Sequence, residues 1–199
     1  PYMLVVHASN PASNIKEFIE HARKIPGKLN YGSSGTGTPN HLGVELLTSL
    51  TGAKFTHVPY NKAPDAIQDL IGGRVNFICL PEAALLSYIR SGQIKALAVS
   101  SAQRTANLPS VPTLSETFAG FEYTGWNGLF APAGTPAAIL DIVNRELETV
   151  LKQPEVAQRL LTLGSIPETS MNVAEFDAFM RSERSRWAGI VKAIGIKPE

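Results

Sequence analysis

Apolar and polar positions in the first hundred residues switch repeatedly between a two-residue and a 3.6-residue period. Tyr2–Val6 is a short apolar run with strand character. Ser13, a plausible N-cap, then precedes Ile15, Phe18, Ile19 and Ala22 at helical spacing. Leu29–Tyr31 is a second short strand, and Pro39 suits the first position of a helix capped by Thr38. That helix carries Leu42, Val44, Leu46, Leu47 and Leu50 and stops near Gly52. Strand and helix recur as Lys54–Val58, Pro64–Ile71 with Gly72-Gly73 as a stop, Val75–Leu80, a Pro81-initiated helix through Ile89, and Ile94–Val99. Five strands with four intervening helices predict an α/β fold of parallel βαβ units, an open sheet with helices on both faces.

The texture changes after Asn107–Pro112. Thr113 and Glu116 are spaced as a capping box for a short helix ended by Gly120, and Phe121–Phe130 is aromatic and Gly-rich, reading as an extended crossing segment. Helices follow from Thr135-Pro136 to Leu151, from Pro154 to Leu163-Gly164, and from an Asn172/Glu175 cap through Phe176, Phe179, Trp187, Ile190 and Val191. The first has Ile139, Ile142, Val143 and Leu147 on one stripe, yet this third of the chain lacks strands for a sheet of its own. Its helices are expected to pack on something else.

Composition narrows the function classes. Of 199 residues, 44% are hydrophobic and 18% charged, so a packed core is within reach and disorder is not expected. The net charge of +1 argues against a dedicated nucleic-acid binder. The single Cys79 rules out an internal disulfide and Cys-rich metal sites, and its apolar strand makes it a buried small hydrophobe. No apolar run reaches the ~18 residues of a membrane span. A chain that opens inside a strand, without an initiator Met, reads as a processed or truncated piece.

The loop Gly32–Thr38 carries the candidate chemistry. It follows a strand and precedes a helix, at the sheet edge where open α/β folds bind ligands. Ser33, Ser34, Thr36 and Thr38 add hydroxyls, Gly35 and Gly37 free the backbone, and the following helix offers its positive end. Such a loop suits a carboxylate or phosphate; the plainer reading is a tight βα turn that needs glycines for φ > 0. The P-loop and the dinucleotide fingerprint are both absent, as is the Gly-x-Ser-x-Gly elbow of hydrolases. His41, in the helix's first turn, either bonds a ligand or caps a local polar network. Tyr60, after another strand, offers a ring and hydroxyl to a ligand or simply packs. Ile78-Cys79-Leu80 makes a third, apolar strand end, and Trp126 is placed to line a cleft. No His/Asp/Glu set has metal-ligand spacing, and no cofactor is expected.

Several segments in order resemble the Bug/TctC family, the extracytoplasmic solute-binding proteins of tripartite tricarboxylate transporters. They are Asn30–Pro39, His57-Val58-Pro59-Tyr60, Asp69–Gly73, Ala96–Val99, Leu108–Thr113, Gly128–Pro136 and Lys192–Ile196, and the resemblance covers the whole chain. It implies a type II periplasmic-binding-protein fold: a complete second lobe over residues 1–122 and the C-terminal, mainly helical portion of the first lobe over 123–199. It implies a periplasmic protein that binds a small organic carboxylate, a dicarboxylate or an aromatic acid, and hands it to membrane permease subunits. Lobe closure at two crossing segments would accompany binding, and catalysis is not implied. Ligand contacts would be Ser33, Ser34, Gly35, Thr36, Gly37 and Thr38, supported by His41 and Tyr60, with backbone amides and water holding one carboxylate. Many members carry an Asp-Asn pair where Ile78-Cys79 stands, which points to a ligand without an amine. Roughly the N-terminal third of a typical member has no counterpart here, so half of the ligand grip is missing and pairing into a homodimer is one way to cover the orphaned helices. Two other classes remain open: the effector domain of a transcriptional regulator, and an enzyme acting on a phosphorylated or acylated substrate.

Overall fold

In the computed structural model of the chain, residues 1–121, 123–163 and 165–195 are described. The expected helix end at Gly164, the expected lobe boundary after Glu122 and the motif residue Ile196 lie outside these residues. Residues 1–125 form one compact unit and Trp126–Gly195 a second.

The first unit alternates β1 (Tyr2–His7), α1 (Ile15–Lys24), β2 (Asn30–Ser33), α2 (Pro39–Thr51), β3 (Thr56–Pro59), α3 (Ala63–Ile71), β4 (Phe77–Pro81), α4 (Glu82–Arg90) and β5 (Ile94–Val99). Local chemistry accounts for the ends. The cap of α1 is Asn14, one residue beyond the expected Ser13: its side chain accepts the Glu17 N–H at 2.9 Å, while Glu17 accepts the Ser13 N–H at 2.7 Å. Pro39 opens α2 as expected, and Gly52 ends it in the left-handed region at φ 69°. Thr113 and Glu116 do exchange capping bonds, at 3.0 and 3.2 Å, but they close a turn and not a helix.

The five strands lie in the order β3-β2-β4-β1-β5. β2 runs parallel to β3 and β4, as the βαβ reading predicts. β1 departs from it, running antiparallel to both β4 and β5 between them, with Leu4 facing Cys79 on one side and Ala98 on the other. The sheet is therefore mostly parallel with one reversed central strand. An apolar run carries no mark of direction, so periodicity could not have distinguished the two.

Side chains alternate across the sheet, and β4 separates its two cores. Phe77 faces an aromatic cluster, with ring centroids 5.2 Å from Phe18, 4.8 Å from Phe55 and 5.4 Å from Tyr31. Ile78 faces the other way, into an aliphatic core with Met3, Val5, Ala66, Ile67, Leu70 and Leu80 beneath α3 and α4. Cys79 is buried, and burial pushes its thiol up to about 12. At pH 8 a thiol-specific disulfide reagent is expected to leave the native chain unmodified and to react fully in denaturant. Rapid stoichiometric labelling of the native chain would contradict this burial.

The second unit holds α5 (Ala137–Leu151), α6 (Pro154–Thr162) and α7 (Val173–Ile194). The Asn172/Glu175 cap forms as expected, with Glu175 N–H donating to Asn172 Oδ1 at 3.0 Å and Asn172 N–H to Glu175 Oε2 at 2.8 Å. Trp126, Phe130, Phe176 and Phe179 gather into one aromatic cluster. Trp187, expected in the core, is only half-buried and donates to Glu183 at 3.1 Å. The expected α5 stripe is uncovered: Ile139, Ile142, Val143 and Leu147 are all exposed, as is Val150, and neither α5 nor α6 has a buried side chain. No helix among the described residues is long and apolar enough to cross a membrane.

Candidate ligand-binding site

Gly32, Gly35 and Gly37 serve different ends in the β2–α2 loop. A Cβ on Gly32 would stand 3.1 Å from the Tyr60 ring and 3.2 Å from Ile78 Cγ2, so the strand passes close against both. Gly35 and Gly37 take φ of 122° and 75°, which other residues adopt only with strain. Thr36 and Gly37 are exposed at the loop's tip.

The loop is tied from inside. Ser33 is fully buried; its Oγ accepts the Gly35 N–H at 3.1 Å and lies 2.5 Å from His57 Nε2. Thr38 occupies the N-cap position of α2 but makes no cap bond with its side chain. Its Oγ1 lies 2.6 Å from the Gly35 carbonyl and 2.5 Å from Asn40 Oδ1. Asn40, 3% exposed, also accepts the Ser34 hydroxyl at 3.1 Å. The Gly37 N–H donates to His41 Nδ1 at 3.0 Å. So three of the loop amides, those of Gly35, Gly37 and Thr38, are already engaged. The donors left over are in the first turn of α2, whose Asn40 and His41 N–H groups precede the helical ladder at the positive end of the helix.

Beneath the loop the aromatic rings are stacked. His41 lies on His57 with centroids 4.1 Å apart and planes 17° off parallel, and Tyr31 packs beside both, 4.9 Å from His57 and 6.4 Å from His41. The Tyr31 hydroxyl donates to Glu45 at 2.7 Å, and Glu45 stands 4.0 Å from His41 Nε2. Burial lowers the His41 pKa, with Glu45 opposing; burial and then the neighbouring His41 bring His57 down to about 4. Both rings are neutral at pH 7. The Ser33–His57 pair has nucleophile–base spacing, but the buried Ser33 hydroxyl is held by Gly35 and meets no solvent, so it is a structural contact.

The remaining expected residues divide. Tyr60 gives its hydroxyl to Asp69 at 2.7 Å and has its pKa pushed up to about 12 by burial and then by that bond; Arg74 binds the same carboxylate. Ile78, expected as the apolar wall, is fully buried under Gly32 and presents no surface to a solute. Trp126 belongs to the second unit, where its indole N–H donates to Glu183 at 3.2 Å. Three further residues escaped the sequence reading: Asn40, His57, and Glu82, which starts α4 buried with Oε1 unbonded among the described residues. Register could have found His57, since it sits beside Tyr31 in the β2–β3 pairing. No group of acidic, His or Cys side chains among the described residues could hold a metal ion.

The comparisons with known proteins agree on one family. The model of the tripartite tricarboxylate transporter family receptor, TctC, matches residues 1–196. A Pseudomonas sp. (strain P51) protein described by its place between tcbD and tcbE is 34% identical over 193 residues, 96% of this chain and 57% of its own. Protein BugT of Bordetella pertussis is 30% identical over 99% of this chain and 60% of its own. The chain thus spans about three-fifths of the length of these relatives. Among solved structures, Rpa4515 of R. palustris with adipate superposes at a TM-score of 0.89 and 31% identity, over 100% of this chain and 67% of that one. MatC of Rhodopseudomonas palustris with bound malate gives 0.82 and 29%, over 96% and 66%, and the periplasmic binding protein BugD gives 0.85 and 30%, over 100% and 67%. With residues 1–196 matched by the family model and 96% of its length aligned to a relative at 34% identity, the chain belongs to the TctC family of tripartite tricarboxylate transporter receptors.

Proposed function

We propose that the first unit is the second lobe of a periplasmic solute receptor and that its β2–α2 loop holds one carboxylate of a small dicarboxylic acid. The observation that carries the reading is the loop itself: a helix N-terminus opened by Pro39, with an internally bonded frame of Ser33, Ser34, Thr38 and Asn40 behind an exposed tip. Adipate and malate in two neighbours support a dicarboxylate. The chain binds and does not catalyse, and permease subunits receive the solute. Tyr60 steadies the loop through its ring beside Gly32, its hydroxyl being taken by Asp69.

Calorimetric titration with adipate and malate, against neutral adipamide, tests this. Binding of a diacid and none of the diamide is expected. Asn40→Ala leaves the Ser34 and Thr38 hydroxyls without their shared acceptor, which costs the folded loop about 1–3 kcal/mol and lets it relax, so diacid affinity is expected to fall. No diacid binding, or unchanged affinity in Asn40→Ala, would overturn the reading.

The exposed α5 stripe supports a second part of the proposal: at micromolar concentration this chain pairs with a copy of itself through Ile139, Ile142, Val143 and Val150.

A further inference from the structure

We propose that His41 and His57 are positioning residues for the ligand loop, acting as a stacked pair that holds the tip in place through the Gly37 N–H only while both rings are neutral. This rests on the reading of the loop as the anion site.

The bond direction fixes the chemistry. Gly37 N–H can donate to His41 Nδ1 only if that nitrogen keeps its lone pair, so the His41 proton is on Nε2, facing Glu45. Protonation of His41 puts an N–H on Nδ1, opposite the Gly37 N–H; two donors then face each other and the tie breaks. His57 fixes the ring from behind, with centroids 4.1 Å apart, and is itself fixed by Ser33 at 2.5 Å. Two imidazolium rings in that contact repel, so the stack takes one proton readily and a second only with difficulty.

The surroundings leave few other groups to intervene. On α2 the charged neighbour is Glu45, already engaged by the Tyr31 hydroxyl. β2 contributes Tyr31 and Ser33, and β3 contributes His57 itself. On β4, Cys79 interacts with Tyr31 and is uncharged, and Phe77 brings no charge. A buried histidine with a depressed pKa favours the neutral, folded arrangement above its unfolded value of about 6.5. As pH falls from there toward about 4, the unfolded or released loop takes up protons that the closed one does not. Acid therefore opens the tie.

The test needs no ligand in its first arm. Long-range 1H–15N correlation spectra at pH 7.5 should show His41 with its proton on Nε2. Gly37 amide exchange, corrected for its intrinsic pH dependence, should lose at least tenfold protection as His41 protonates. In His41→Asn, Oδ1 takes the place of Nδ1 and does not titrate, so protection should persist from pH 7.5 to 5. In His41→Phe the stack remains without an acceptor, and protection should be absent at both. A His41 proton on Nδ1, or Gly37 exchange indifferent to its titration, would overturn the proposal, and the wild-type spectra decide even if a variant fails to fold. In the second arm, adipate affinity, corrected for protonation of adipate itself, should fall at least tenfold between pH 7.5 and 5 in the wild type but hold in His41→Asn. If the tie behaves as stated and no adipate binds at any pH, the loop lock stands and the carboxylate site falls. If adipate binds with the same pH dependence in both proteins, the site stands and the lock falls.

Discussion

Replacing Ile78 by Asp is expected to unfold the first unit at neutral pH. The Ile78 side chain is fully buried among Met3, Ala66, Leu70 and Leu80, without a polar partner in that core. Removing it forfeits burial and leaves a partial void, about 2–4 kcal/mol by analogy with large-to-small substitutions. The new carboxyl must either stay ionised without a partner or take up a proton, and a shift of three pKa units adds about 4 kcal/mol at neutral pH. The sum equals or exceeds much of the stability of a typical domain, about 5–15 kcal/mol. The sign with pH follows. Burial raises the folded pKa of this carboxyl, so the added penalty is absent below the unfolded value of about 3.9 and grows as pH rises above it. Urea titrations at pH 4 and pH 7.5 should show a larger loss at 7.5. An unchanged midpoint at both would mean that Ile78 is not in the core, and only then would this substitution report on ligand selectivity.

Phe77→Ala is the second large effect. Phe77 is fully buried and touches the rings of Phe18, Phe55 and Tyr31 at once. Truncating a buried aromatic costs about 3–5 kcal/mol. With an unfolding entropy of about 2.1 cal/mol/K per residue, that lowers the Tm of a unit of this size by about 10–20 °C. Differential scanning calorimetry checks it; a shift below about 3 °C would contradict the packing. Binding should weaken too, because Tyr31 carries the His57 ring on its other side.

Most of the fold's outline was legible because its punctuation is local. Pro39, Gly52 and the Asn172/Glu175 box act within one turn, and each does in the structure what its chemistry dictates. The direction of β1 was not legible, because it depends on partners far along the chain. The loop was legible as a place, and its family as a resemblance in the order of motifs. Its working parts were not. Which amides are spent depends on His41 Nδ1 and Ser33 Oγ, and their bonds require β3 to lie beside β2. Ile78 was assigned to the pocket from its position along the strand, whereas the alternation of β4 sends it and Phe77 to opposite cores. Trp126 shows the same limit: its aromaticity was informative, but its neighbours Phe176 and Phe179 lie about fifty residues on, on a single turn of α7.

The reversed β1 also sets an order of events during folding. β2, α2, β3, α3 and β4 are consecutive and can pair as they are made, but Tyr2 bonds to Ser100, 98 residues away. Until β4 exists, Met3-Leu4-Val5-Val6 is an apolar segment of high β-propensity with both edges unpaired, and one edge stays open until β5 follows. During synthesis it emerges before β4 and β5 and is sealed last. The strand between β4 and β5 is thus the slowest part of this sheet to assemble, and the stretch that most needs protection from other chains while the rest is being built.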